Sequence, residues 1–183
     1  MIEHRPKATS AAGSPERNAE ALSTAVRETL RLWASGVTVV TTRALGRRAG
    51  MTVSAFTSLS LEPPLVLVAL HKDTEVAGLI RKSRVFGISI LGEDGEALSQ
   101  QFAGATPLPE DEDRFYGVST ELRVTGVPIL SDAIAWLDCR VIRLRQMATH
   151  LAVVGEVLDT GRRDDPAVRP LVYHNRGYAR LAR

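Results

Sequence analysis

From Ala19 to Trp33 the apolar positions Ala21, Leu22, Ala25, Val26, Leu30 and Trp33 recur at helical spacing, with Glu and Arg between them. This pattern predicts an amphipathic helix ending near Ser35-Gly36, with Gly36 as its C-cap. At Gly36 the period changes, and GVTVVTTRA (36–44) has the β-branched chemistry of a strand. The glycines and charges of LGRRAG (45–50) predict a hairpin turn, and TVSAF (52–56) pairs back as the next strand. Neither Pro63 nor Pro64 donates an N–H, so the pair is expected to mark an edge, followed by the buried strand LVLVAL (65–70). The chain turns at His71-Lys72-Asp73-Thr74, where Asp73 or Thr74 can N-cap a short helix over 74–83 whose open N–H groups favour an anion.

FGISIL (86–91) reads as a strand and EALSQQFAG (96–104) as a helix. ATPLPEDEDRFYGVS (105–119) is acidic and proline-interrupted, the composition of a loop or lid. Ile129-Leu130 precedes a polar turn. Long alternating strand material follows at 133–147 and 150–161, and PLVYHNRGYARL (170–181) closes the chain as a last strand. No internal repeat is visible. The class expected is mainly β, a barrel with α+β character, because closure removes the edges that many short strands would expose. A doubly wound parallel sheet is disfavoured, since βαβ alternation and a GxGxxG after the first strand are both missing.

Composition narrows this picture. The chain has 183 residues, enough for one domain with a real core. Residues 1–18, rich in Ala, Ser, Pro and charge, are expected to form a flexible leader, leaving 19–183 as a single domain. They lack the apolar core of a secretory signal, and no apolar run is long enough to span a bilayer. The net charge of +2 is scattered, so no nucleic-acid footprint forms, and the arginines at 176, 180 and 183 read as a solvated terminus. A single cysteine, Cys139, excludes an intrachain disulfide and fits a reducing cytoplasm. Among apolar neighbours it reads as an inert buried thiol. His71, His150 and His174 show no metal-ligand spacing with it.

The chemistry concentrates in GMTVSAFTSLSLEPPLVLVAL (50–70). Thr52, Ser54, Thr57, Ser58 and Ser60 offer short donors and acceptors, and Gly50 and Ala55 keep bulk away from the main chain. This suits a flat polar heterocycle held by backbone hydrogen bonds, and equally a hydroxyl-rich strand and turn without ligand.

The series Gly36 to Thr42, Gly50-Met51-Thr52, Ser54-Ala55-Phe56, Ser58 to Leu61 and Pro63 to Leu67 continues through Phe86 to Leu91, Gln101-Phe102-Ala103 and Gly126-Val127-Pro128. It ends in Leu137-Asp138-Cys139, His150, Val154 to Val157, Pro170 to Tyr173 and Gly177-Tyr178. In this order the series resembles the short-chain flavin reductases, the reductase partners of two-component flavin-dependent monooxygenases, which have the FMN-binding split-barrel fold. The resemblance runs from about Leu30 to the C-terminus. It implies a homodimer in which NADH or NADPH reduces FMN or FAD, and the reduced flavin diffuses to a separate oxygenase. It places the flavin along Thr52, Val53, Ser54, Ala55, Phe56 and Ser58, with its phosphate end at Lys72, Asp73 and Thr74. It gives His150 and the tail Arg176, Gly177 and Tyr178 to the nicotinamide nucleotide.

Two positions depart from the family pattern. Ala148-Thr149 stands where a Gly-Asp often precedes the histidine, which removes a carboxylate beside His150. Ser89 stands where an asparagine is frequent, a shorter donor for the same cofactor role. No protein nucleophile is expected, since cofactors carry the hydride. The alternatives are a flavin- or haem-binding split-barrel carrier or sensor without turnover, and a structural barrel module. The sequence does not choose FMN over FAD.

Overall fold

The structure, a computed structural model, describes residues 15–181. Its contacts divide into two units, one ending at Trp33 and one beginning at Ala34. In the first lies helix α1 (Pro15–Leu30), on which Leu22, Val26 and Leu30 follow at four-residue steps and are all exposed. The expected leader therefore ends inside a helix, and its first fourteen residues lie outside the described ones. Gly36 is not the helix cap: α1 stops at Leu30, and Gly36 pairs with Val172 in a short ladder.

The second unit begins with β1 (Ser35–Gly36), β2 (Thr38–Ala44), β3 (Arg47–Val53), β4 (Phe56–Leu61) and β5 (Pro64–His71). Helix α2 (Glu75–Ser83), β6 (Val85–Ile90) and α3 (Glu96–Ala103) follow. Then come β7 (Thr120–Leu122), β8 (Pro128–Leu130), β9 (Ala135–Met147), β10 (His150–Arg162), β11 (Val172–His174) and β12 (Gly177–Ala179). Seven strands form one antiparallel sheet in the order β3-β2-β6-β9-β10-β5-β4. Its two outer strands, β3 and β4, are consecutive in the chain, joined only by Ser54-Ala55. Laid flat, seven strands would hold their edges about 29 Å apart at the usual strand spacing. Three Cα steps from Val53 to Phe56 span at most about 11 Å, so the sheet must curl until its edges meet. Among the described residues no ladder joins β3 to β4. The closed barrel expected from the sequence is thus an antiparallel sheet curled round an open seam.

Local chemistry explains the other departures. The β2–β3 turn is only Leu45-Gly46, both at positive φ (52° and 76°), so Arg47 to Gly50 belong to β3. Pro64 opens β5 opposite Leu61, and β5 lies between β4 and β10 rather than at an edge. The first position of a strand tolerates the missing N–H. The closing segment is a hairpin rather than one strand, because Asn175 and Arg176 (φ 50° and 65°) turn β11 back onto β12.

The core has two parts on opposite faces of β2. Val40, Val53, Val68, Leu70, Phe86, Ile88, Leu151 and Val153 pack with Val76, Leu79 and Ile80 of α2 inside the curl. Val39, Phe102, Phe115, Leu130 and Leu171 pack on the other face beneath α3. Burying β2 on both sides explains its run of β-branched residues without polar alternation.

Candidate active site

The Ser54-Ala55 link sits at the seam. Both residues are exposed, and the Ala55 carbonyl accepts from the Ala69 N–H at 3.0 Å, which continues the β4–β5 register toward the end of β5. Two residues beyond Ala69, His71 pairs across the ladder with His150, the first residue of β10. His150 follows the β9–β10 hairpin tip, Ala148-Thr149, whose Thr149 carbonyl accepts from the Lys72 N–H at 3.0 Å. Link, β5–α2 turn and hairpin tip therefore converge on one end of the sheet.

The polar groups expected from the sequence divide by what they already bind. The hydroxyls of Ser54 and Ser58 and the ammonium of Lys72, a half-buried residue, have no hydrogen-bonding partner among the described residues. Other expected groups are engaged. Thr52 donates to the Ser99 carbonyl at 2.6 Å. Thr74 caps α2: its hydroxyl accepts from the Ala77 N–H at 3.3 Å and donates to the His71 carbonyl at 2.8 Å. Asp73 is exposed, with its carboxylate 3.9 Å from His71 Nδ1. Val53 is buried in the core, and Phe56 is half-buried against it.

The C-terminal hairpin reaches the same strand by another route. The Tyr178 hydroxyl lies 2.8 Å from Ser99 Oγ, which places Tyr178, Ser99 and Thr52 in one chain of contacts. The Tyr178 ring is edge-to-face with Tyr173, Gly177 is half-buried, and Arg176 occupies the turn. Ser99 was not among the expected residues. Its signal was its place three residues before Phe102 on α3, on the helix face turned to the sheet.

Two expectations are corrected. Ser89 is fully buried and accepts from the Leu130 N–H at 3.0 Å, so its hydroxyl secures β8 and faces no open surface. At Gly50 the missing side chain makes room for a ring of the protein itself: a Cβ there would stand 2.6 Å from Phe102 Cε1.

Beside Thr52 and Thr74 opens a cleft of about 630 Å³, walled by Met51, Phe102, Phe115 and Arg48. A larger one of about 720 Å³ contains none of the expected residues. Both are bordered by Asp113 of the acidic 105–119 loop, whose carboxylate takes hydrogen bonds from Arg48 at 2.8 and 3.2 Å and from the Phe115 N–H at 2.8 Å. Burial alone would raise the Asp113 pKa, but these bonds and the Arg48 charge outweigh it and hold the carboxyl below its ordinary value. The Arg48 guanidinium also lies 4.5 Å over the Phe115 ring. Cys139 is buried, and burial with the neighbouring Asp138 charge pushes its thiol up to about 12, where it stays protonated and unreactive. Among the described residues no helix is long and apolar enough to cross a membrane.

A mainly antiparallel sheet curled on a seam, with the hydroxyl-bearing Ser54 exposed at that seam, has the form of a split barrel. Residues 30–182 match the flavin reductase like domain, and the chain belongs to that family. It is 34% identical over 156 residues to FMN reductase (NADH) RutF of Ancylobacter novellus, covering 85% of this chain and 83% of that protein. It is 39% identical over 158 residues to the reductase component of 4-hydroxyphenylacetate 3-monooxygenase from Thermus thermophilus, covering 86% of this chain and 95% of that protein. Among solved structures, Streptomyces globisporus C-1027 NADH:FAD oxidoreductase SgcE6, in complex with NAD and FAD fragments, superposes with a TM-score of 0.78. It is 30% identical, covering 87% of this chain and 93% of that one.

Proposed function

We propose that this protein is an NADH-dependent flavin reductase that reduces FMN or FAD and releases the reduced flavin to a separate monooxygenase component. The observation that carries the placement of its site is the pair of uncommitted polar groups, Ser54 and Lys72, near the end of the sheet where His150 lies, with the Ser58 hydroxyl further along β4. A flavin fits this donor set. Its ring presents carbonyl and imine acceptors that main-chain N–H and hydroxyl groups of 54–58 can meet, with Phe56 packing behind. Its phosphate suits Lys72 beside the N-terminus of α2. Thr52, Val53, Asp73 and Thr74 shape that surface through the bonds and packing they already make.

Bound there, a flavin supplies the two-electron acceptor for the hydride of NADH. The protein's part is orientation: His150 and the Arg176-Gly177-Tyr178 turn hold the nicotinamide nucleotide against the ring. Tyr178 offers its ring face for stacking, since its hydroxyl is taken by Ser99. The protein works as a cytoplasmic homodimer in this reading. The bare β4 edge, with Leu59 and Leu61 exposed, supports a second copy at the seam.

Steady-state loss of NADH near-ultraviolet absorbance, with FMN and FAD each as acceptor, tests the activity. Catalytic turnover is expected with NADH. Flavin uptake without turnover would instead mark a carrier or sensor. Light scattering is expected to give near twice the 19.9 kDa chain mass.

A further inference from the structure

His71 and His150 face each other directly across the β5–β10 ladder, and their rings meet edge to face with centroids 5.5 Å apart and planes at 75°. His150 Nδ1 is held at 3.0 Å from the Thr149 hydroxyl. On the other ring, His71 Nδ1 accepts from the Asp73 N–H at 3.4 Å, which leaves the proton of a neutral His71 on Nε2. The His71 carbonyl takes the Thr74 hydroxyl, and the Lys72 amide is tied to Thr149, so the backbone beneath the pair is fixed from both sides. Both rings are exposed, and without a neighbour a surface imidazole at a hairpin tip is free to rotate about its two side-chain torsions.

We propose that His71 is a positioning residue. Its ring fixes the orientation of the His150 imidazole, which leaves the remaining His150 nitrogen directed outward to the nicotinamide nucleotide. The work is done by ring contact rather than by charge, because the Thr149 hydroxyl already holds the other His150 nitrogen. This proposal rests on the reading of His150 as a nucleotide contact.

The test compares His71→Ala, His71→Phe, His150→Ala and the double alanine variant in the full chain. Loss of the ring in His71→Ala is expected to raise KM for NADH about three- to ten-fold, the value of an aromatic pair of this geometry, with KM for flavin unchanged. His71→Phe restores the wild-type KM, and His71→Ala adds nothing in the His150→Ala background. Independently of turnover, the His150 Cε1–H resonance is expected to move in His71→Ala and to stay near its wild-type position in His71→Phe. Additive effects, or failure of His71→Phe to rescue, would overturn the proposal and make His71 a direct ligand or a merely structural residue. If His150→Ala leaves KM for NADH unchanged, the reading beneath the proposal fails. If only the His71 variants are silent, the proposal fails alone.

Discussion

The two edges of the main sheet, β3 and β4, are neighbours in the chain and opposites in treatment. On β3, Ala49, Gly50 and Val53 are buried, Thr52 is bonded to Ser99 of α3, and Arg48 is bonded to Asp113 of the acidic loop. On β4 all but Phe56 and Ser60 are exposed, Thr57 and Ser58 among them. An uncovered edge is a liability that a protein manages or uses. Here one edge is roofed by a helix and a loop, and the other is left bare where it meets the seam. Packing and bonding are thus concentrated on β3, and the ligand is proposed to lie on β4 and the link that starts it.

The sharpest way to break this contrast is to fill the bare side. Ser54→Trp places a bulky ring at an exposed position with no packing to disturb, so folding should survive. Flavin affinity should fall by about 100-fold or more, equivalent to ~2.7 kcal/mol. Flavin fluorescence titration measures it, with circular dichroism as the control. A folded variant that binds flavin as before would move the site elsewhere.

The covered side should respond in the opposite way. Gly50→Ala drives a Cβ into Phe102, which is fully buried and edge-to-face with Phe115 at 5.0 Å, so the ring has little freedom to yield. The expected cost is about 1–3 kcal/mol of stability, seen as a lower Tm, with flavin affinity of the folded protein kept. Smaller again is Thr74→Ala. It removes the cap of α2 while Lys72 remains, and should cost about 1 kcal/mol. A large loss of flavin affinity without loss of stability would show that the Thr74 hydroxyl binds ligand rather than helix.

The same contrast explains what could be read from the chain alone. Strand positions and the hydroxyl-rich seam are local patterns, visible in a few consecutive residues. What escaped was set by partners far along the chain. The role of Ser89 depends on Leu130, that of Gly50 on Phe102, and that of Thr52 on Ser99 and through it Tyr178. Charge also misled locally. Arg47 and Arg48 resemble turn residues until the acidic loop and Glu75 of α2 supply their carboxylates, at 2.8 and 2.6 Å. The two residues of the His71–His150 pair stand on different strands, seventy-nine positions apart in the chain, so only the ladder register discloses it.

The smallest expected effect tests how the cover over β3 is fastened. Asp113 titrates below its ordinary value because the Arg48 hydrogen bonds, the Phe115 N–H and the Arg48 charge outweigh the opposing effect of burial. A carboxyl whose folded pKa is depressed contributes stability above its unfolded value, and that contribution is lost as pH falls through the folded one. The pair is well exposed, with side chains 44% accessible on each partner, so solvent screening keeps its worth under about 1 kcal/mol. Asp113→Asn should therefore be slightly less stable than the parent at neutral pH. The gap should close as pH falls below the ordinary aspartate value of 3.8. Urea unfolding of both proteins across that range measures it. A gap that persists in acid would mean that Asp113 acts through its uncharged hydrogen bonding, the Phe115 N–H among it, rather than through the Arg48 charge. Flavin affinity at neutral pH should be the same in both if, as proposed, the ligand belongs to the bare edge, because this fastening belongs to the roofed one.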